Sequence, residues 1–184
     1  MRSESEILRA VAEGDEQAIR ILYNLYSERI YNTALSYAKN IEDAEEITQD
    51  VFVKIYKNAT SFKGEAALST WVYRIAVNTS LNYLKKKNRF KVFKTTITSS
   101  QFVDFAHPGA ILENKEKVVA LYKTMDCLSN NQKTAFILSF IEELPRQEVG
   151  DIMELSLKAV ESLLQRAKKN MRLELEKDYP NRRK

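Results

Sequence analysis

Five carboxylates stand close together in "EDAEEITQD": Glu42, Asp43, Glu45, Glu46 and Asp50. Such side chains can hold a divalent cation or trade a proton with a substrate, provided that they converge on one point. On a helix these scatter around the axis with no histidine nearby, so the pattern predicts a solvated acidic face and not a metal site. The chain has one cysteine, Cys127, and one histidine, His107. That is too few for a zinc centre with four protein ligands or for an internal disulfide. His107 precedes Pro108 in a stretch without periodicity and is poorly placed to act as a general base. No glycine-rich phosphate loop or nucleophile elbow is present. The sequence predicts a protein without catalytic residues, metal or cofactor.

A different chemistry is written in "STWVYRIAVNTSLNYLKKK", residues 69–87. At 100° per residue, Trp71, Arg74, Asn78, Asn82, Lys85 and Arg89 fall on one stripe of a helix. Apolar faces flank it, with Val72, Ile75, Ala76, Thr79 and Tyr83 on one side and Tyr73, Val77, Leu81 and Leu84 on the other. An aromatic ring can stack on an unpaired base, amides can pair with its edge, and cations can hold the phosphates. The plain alternative is a face turned to water, the common fate of a polar stripe. A second stripe lies near the C-terminus: Lys158, Ser162, Gln165, Lys169 and Arg172, with Arg166 at its edge. It stands opposite Leu157, Val160, Leu163, Leu164, Ala167 and Met171. Cations for phosphates and Gln, Ser and Arg for base edges suit the major groove of duplex DNA, although many basic amphipathic helices are merely solvated.

The elements that carry these stripes read as helices. Only four Gly and three Pro are spread over 184 residues, which leaves little room for a sheet of hairpins. Residues 4–13 and 15–39 have helical periodicity, with Ile19, Leu22, Tyr26, Ile30, Thr33 and Tyr37 recurring at threes and fours. A third helix is predicted from Ile41 to about Lys57, with Ala44, Ile47, Val51 and Ile55 inside. Its outer face, Glu45, Gln49, Phe52, Val53 and Tyr56, mixes acid, amide and large apolar groups. That mixture predicts a partner surface, unless another helix of the same domain covers Phe52 or Val53. "TSFKGEA" is a loop before the striped helix.

After that helix, "RFKVFKTTITSSQFVDFAHPGAILEN" loses periodicity and reads as a flexible linker, with a short strand in "KVFKTTIT" as the alternative. A second domain begins near Asn114, where Val118, Leu121, Tyr122 and Met125 share a helical face. The next helix has Ser129 or Asn130 as its N-cap and an apolar body of Ala135, Phe136, Leu138 and Phe140. Then "PRQEVGDIM", a short helix with Pro145 in its first turn, the turn "ELS", and a longer helix from Leu157 to about Leu175 form a helix-turn-helix signature. The fold expected is all-α, in two small helical domains: residues 1–88, a linker over 89–113, and residues 114–184.

Composition bounds the partners. With 44% hydrophobic and 29% charged residues, the chain is expected to be soluble and globular. No apolar run approaches the roughly 20 residues of a membrane span, so no membrane insertion is expected. A lone cysteine and no signal-peptide pattern point to a reducing cytosol. The net charge of +4 is modest but unevenly spread: −4 over residues 1–60, +7 over 61–100, −4 over 101–154 and +5 over 155–184. The two basic blocks are footprints for phosphate, with anionic lipid as the usual competitor.

Four segments, in this order, resemble the extracytoplasmic-function (ECF) group of bacterial RNA polymerase sigma factors: "DAEEITQDVFVKIYKN", "SFKGEAALSTWVYRIAVNTSLNYLKKK", "LSNNQKTAFILSFIEELPRQEVGDIMELS" and "LKAVESLLQRAKKNMRLEL". The resemblance covers roughly residues 20–88 and 115–175 and implies a helical bundle like sigma region 2 and a helix-turn-helix domain like region 4. It implies no catalysis, but docking on core RNA polymerase and promoter-specific initiation. The first segment would dock on the beta-prime clamp helices through Asp43, Glu45, Glu46, Gln49, Asp50, Phe52, Val53 and Tyr56. The second would melt and hold the −10 element through Phe62, Lys63, Ser69, Thr70, Trp71, Arg74, Asn78, Asn82, Lys85 and Lys86, with Lys87 and Arg89 also on phosphates. The last two would bind the beta flap and read the −35 element through Arg146, Lys158, Glu161, Ser162, Gln165, Arg166 and Lys169. An anti-sigma factor is an expected partner, since members of the group are commonly held inactive by one.

Departures from the family's pattern are few. Glu154 stands in the turn where Gly is frequent, which bears on the angle between the two helices. Asn82 and Lys85 stand where Asp and Arg are frequent, which bears on −10 preference. Gly150 stands inside the short helix where Ala is common, which predicts a loss of stability. Two rival readings each explain one stripe and leave the other over: a helix-turn-helix regulator with a ligand-binding first domain, and an RNA- or single-strand-binding module. A nucleic-acid-processing enzyme is a more distant third.

Overall fold

A computed structural model of the chain describes residues 3–93 and 120–178, and every regular element among them is helical. The chain divides into two compact units, Met1–Ser99 and Ser100–Lys184. His107, Phe102, Phe105, Val118 and the expected linker beyond Phe93 lie outside the described residues.

Among the described residues the first unit has four α-helices: α1 (Glu4–Ala12), α2 (Glu16–Ala38), α3 (Ile41–Asn58) and α4 (Leu68–Phe93), with a 3₁₀ turn, Ala59–Ser61, after α3. Short polar side chains start the first three. Ser3 and Glu6 form a reciprocal capping box on α1, Asp15 accepts from the N–H groups of Gln17 and Ala18, and Asn40 accepts from that of Asp43. α2, α3 and α4 pack on one another, and α1 lies against α2 and the 3₁₀ turn. The expected inner face of α3, Ala44, Ile47, Val51 and Ile55, is buried, as are Leu22, Tyr26, Ile30, Thr33 and Tyr37 of α2. Each large apolar side chain so covered stabilises the fold by about 1.5–3 kcal/mol relative to leaving it in water. Ile19, expected inside by its spacing, is exposed instead, because it stands on the rim of an open groove between α2 and α3.

α4 is covered on both flanks of its stripe: Val72, Ala76 and Thr79 are buried on one, and Tyr73 and Val77 on the other. The helix runs past residue 88 to Phe93, so Lys91, Val92 and Phe93 of the "KVFKTTIT" stretch are helical and not part of a strand.

In the second unit residues 120–124 are helical and lead into a 3₁₀ turn, Met125–Cys127. Then follow α5 (Asn130–Phe136), α6 (Arg146–Met153) and α7 (Leu157–Asp178). Ser129 caps α5 in a box with Gln132. α5 continues as a π-helical turn, Ile137–Ile141, which the sequence pattern did not announce. The wider turn keeps Ile137 and Leu138 buried but leaves Phe140 exposed, against the expectation for that residue. Its ring lies tilted against Phe136 with centres 4.9 Å apart, and the Lys168 ammonium sits 4.7 Å from its centre. Val160, Leu163, Leu164, Ala167 and Met171 of α7 are buried, whereas Leu157, expected with them, is exposed at the first residue of the helix.

The turn between α6 and α7 corrects the reading of Gly150. A Cβ there would lie 2.8 Å from the Leu155 carbonyl oxygen, and the Leu155 N–H donates to the Gly150 carbonyl at 2.9 Å. Glycine is thus required by a close backbone approach and is not merely a weak helix former. Glu154 takes φ 57° and ψ 41°, the left-handed conformation that Gly adopts without strain.

Candidate nucleic-acid and partner interfaces

The stripe on α4 begins at a helix end capped from a distance. Ala67 has no side chain to cap with, and the Leu68 N–H donates instead to Glu4 Oε2 of α1 at 3.0 Å. A carboxylate suits that end of the helix dipole. Before it, Gly64 turns the loop at φ +73°, a conformation glycine takes freely. Phe62 meets Trp71 edge to face, with ring centres 5.6 Å apart and planes at 64°. Both rings are half-buried against the core, so they form a rigid apolar wall at the surface. Along the same line Arg74 is half-buried, while Asn78, Asn82, Lys85, Lys86 and Arg89 are exposed, as is Lys63 in the loop. Of the neighbouring hydroxyl pair, Ser69 reaches the surface and Thr70 is buried.

On α3, Glu45, Glu46, Gln49, Asp50, Val53 and Tyr56 are exposed. Phe52 is half-buried, its ring tilted against that of Tyr23 of α2 with centres 4.9 Å apart, so a second helix does cover it in part. Ile19, Tyr23, Gln49, Phe52, Val53 and Tyr56 line an apolar groove of about 340 Å³. Val53 and Tyr56 are 49% and 51% exposed on its rim, a large apolar surface to leave uncovered. The α2 side of this groove went unread in the sequence, because Ile19 and Tyr23 follow the same spacing as core positions.

Asp43 is the one buried carboxylate among those of α3. It is only 9% exposed and turned toward α4, where Tyr83 Oη donates to its Oδ1 at 2.9 Å, and Lys87 Nζ and, at 2.6 Å, Asn40 Nδ2 to its Oδ2. Burial alone would raise the carboxyl's pKa, but the hydrogen bonds from Asn40, Lys87 and Tyr83 and the charge of Lys87 outweigh it and leave the pKa below the ordinary value. The same Tyr83 hydroxyl approaches Glu46 Oε2 at 2.8 Å. Burial, then the two carboxylates, push the phenol well above its usual range, so it stays a donor at any physiological pH. Lys87, one of the three consecutive lysines, is therefore engaged with Asp43, whereas Lys85 and Lys86 face solvent. One turn earlier on α4, Lys54 Nζ of α3 donates to Thr79 Oγ1 at 3.0 Å.

In the second unit the outer face of α7 is open. Lys158, Ser162, Gln165, Arg166, Lys169 and Arg172 are exposed, and Glu161 is half-buried. Arg146 at the start of α6 reaches Glu161 Oε1 with its Nη1 at 3.4 Å, linking the two helices of the helix-turn-helix. An exposed pair of this kind adds little stability. Among the described residues no cluster of His, Cys, Asp and Glu could hold a metal ion, and no helix is long and apolar enough to cross a membrane.

Two family models match the chain, Sigma-70 region 2 over residues 22–90 and Sigma-70, region 4 over residues 119–171. The ECF RNA polymerase sigma factor SigW of Bacillus subtilis is 25% identical over 176 residues, 91% of this chain and 94% of its own. The ECF sigma-E factor of Escherichia coli is 28% identical over 171 residues, 88% of each chain. Among solved structures the fold is shared with CnrH, in complex with the cytosolic domain of CnrY, at a TM-score of 0.70 and 19% identity over 95% of this chain and 98% of that one. It is also shared with the sigma factor RpoE of Bartonella quintana, in complex with the anti-sigma factor NepR, at 0.69 and 20% identity over 85% and 96%. Helix order, both family models and the curated relatives agree: the chain belongs to the extracytoplasmic-function group of RNA polymerase sigma factors.

Proposed function

We propose that the two stripes divide promoter recognition between a melted strand and a duplex. The α4 stripe holds the −10 element as single strand: an extruded base rests on the Phe62–Trp71 wall, Asn78 and Asn82 pair with base edges, and Lys63, Lys85 and Lys86 hold phosphates. The outer face of α7 enters the major groove at the −35 element. There Gln165, Ser162, Lys158 and Arg166 meet base edges, and Lys169 and Arg146 meet the backbone. The groove between α2 and α3, with Glu45, Glu46, Gln49, Asp50, Val53 and Tyr56, seats the clamp helices of the beta-prime subunit, and the second unit seats the beta flap. The chain supplies specificity and no catalysis. Melting needs no nucleotide hydrolysis, because binding to the open strand offsets the unpairing.

The observation that carries this reading is the half-buried Phe62–Trp71 pair at the head of a line of amides and lysines on α4. A merely solvated face has no use for a fixed aromatic wall. The protein acts in the cytoplasm, where its polymerase is, and an anti-sigma factor is its expected inhibitor. The Bartonella relative was solved with one. The decisive experiment mixes the purified chain with core RNA polymerase and scores promoter-dependent run-off transcripts. Transcripts that require both proteins are expected. Failure to bind core, or tight specific binding of duplex DNA by the chain alone, overturns the reading.

A further inference from the structure

We infer that Tyr83 is a positioning residue, whose hydroxyl fixes the C-terminal half of the −10 helix against the polymerase-docking helix α3. The inference rests on the functional reading above and adds to it the part that connects its two faces.

Docking and melting are assigned to different helices, so the angle and register between α3 and α4 decide where the stripe lies on the enzyme. Apolar packing fixes the first half of α4, in which Val72, Tyr73, Ala76 and Val77 are buried. Further along, that cover thins: Leu81 and Leu84 are only half-buried and Lys85 and Lys86 are exposed. Yet Asn82, Lys85 and Lys86, three of the residues assigned to the promoter, stand in this second half.

Besides the Tyr83 ring, which packs against the core, the contacts that hold it to α3 are polar. Thr79, Tyr83 and Lys87 recur every four residues along one edge of α4, and each meets α3: Thr79 through Lys54, Tyr83 through Asp43 and Glu46, and Lys87 through Asp43. The middle member is the junction, since its one hydroxyl lies within 2.9 Å of Asp43 and 2.8 Å of Glu46, a turn apart on α3. Both acceptors are carboxylates, the stronger kind of partner. Asp43 is itself held by Asn40, the N-cap of α3, so the strap is anchored at the start of the docking helix. Asn82 directly precedes Tyr83 and points about 100° around the helix from it, so fixing the tyrosine fixes the amide. Glu46 is the one member also exposed on the docking face. A polymerase helix seated there lies next to the strap.

Tyr83→Phe tests this with little risk to the fold, because the ring that packs against the core is kept and one hydroxyl is lost. Holoenzyme is assembled from core polymerase and the full chain, on a promoter fragment that the wild type transcribes. Affinity for core should stay within about twofold, while the rate at which −10 thymines become reactive to permanganate should fall about fivefold. The readout that a purely structural role would not move is a cycle with Asn82→Ala. If the hydroxyl acts through Asn82, Tyr83→Phe should cost much less in the Asn82→Ala background. Opening at the wild-type rate, or losses that multiply in full, overturns the inference. If the wild type itself yields no transcripts with core, the functional reading fails and not the strap.

Discussion

The two basic helices, α4 and α7, present similar side chains in opposite settings. α4 is flanked by buried residues on both sides, and Phe62 meets Trp71 edge to face near its start, so its exposed stripe begins at a fixed aromatic wall. α7 buries one face through Val160, Leu163, Leu164, Ala167 and Met171 and leaves the other as a convex ridge of Lys, Ser, Gln and Arg without a single aromatic. A base in a duplex is already stacked and is approached edge-on, which a ridge can do. A base taken out of the stack has lost its neighbours and needs a surface to replace them, which an aromatic wall supplies. The aromatic pair on one helix and its absence from the other thus predict which meets melted DNA and which meets duplex.

Exchanging the losses breaks or sharpens that contrast. Trp71→Ala removes half of the wall. It should slow open-complex formation tenfold or more, in line with about 1–3 kcal/mol per stacked base, and leave −35 binding unchanged. Gln165→Ala should do the reverse, relaxing discrimination at one −35 base pair by about tenfold while a pre-melted fragment is held as tightly as before. Permanganate reactivity follows the first and competition between single-base −35 variants the second. If either change weakens both steps alike, the division of labour is wrong.

The next effect in size concerns how α7 is presented. Helix propensity alone makes Gly150→Ala a gain of about 1 kcal/mol. The contact of 2.8 Å to the Leu155 carbonyl oxygen reverses the sign, since the turn must move to admit a methyl group. A loss of about 1–3 kcal/mol is expected, read as an earlier thermal transition of the second unit with the first unit's transition unmoved.

Gly150 also marks where sequence reading stops. Periodicity recovers faces: the inner side of α3, both flanks of α4 and the apolar side of α7 lie where the spacing puts them, because each depends only on residues three and four apart. The cap at Ser129 is equally local. What depends on a second segment escapes. Tyr83 meets Asp43 from 40 residues away and Glu4 caps Leu68 from 64 away, with nothing in either local pattern to say so. Ile19 and Leu157 carry core spacing but stand at a groove rim and a helix start, where the covering element has ended. The stripe on α4 was legible as chemistry; that Thr70 is buried and Lys87 held by Asp43 depends on packing against α3 and the core.

The smallest expected effect bears on whether the α6–α7 turn has its own influence on −35 reading. Glu154 holds a left-handed backbone at φ 57°, strained for any residue with a Cβ by roughly 1–2 kcal/mol. Glu154→Gly removes that strain but gives the unfolded chain more freedom, at a cost of about 0.4–1 kcal/mol. The balance is a gain of roughly 0.5 kcal/mol, visible as a rise of a few degrees in the second unit's midpoint. Because Gly takes the same dihedral angles, α7 should keep its angle to α6, with the Arg146–Glu161 link intact. Discrimination among −35 variants should therefore match the wild type even as stability rises. A change in −35 preference without a change in midpoint would mean that the glutamate side chain, and not the backbone it distorts, sets how the ridge enters the groove.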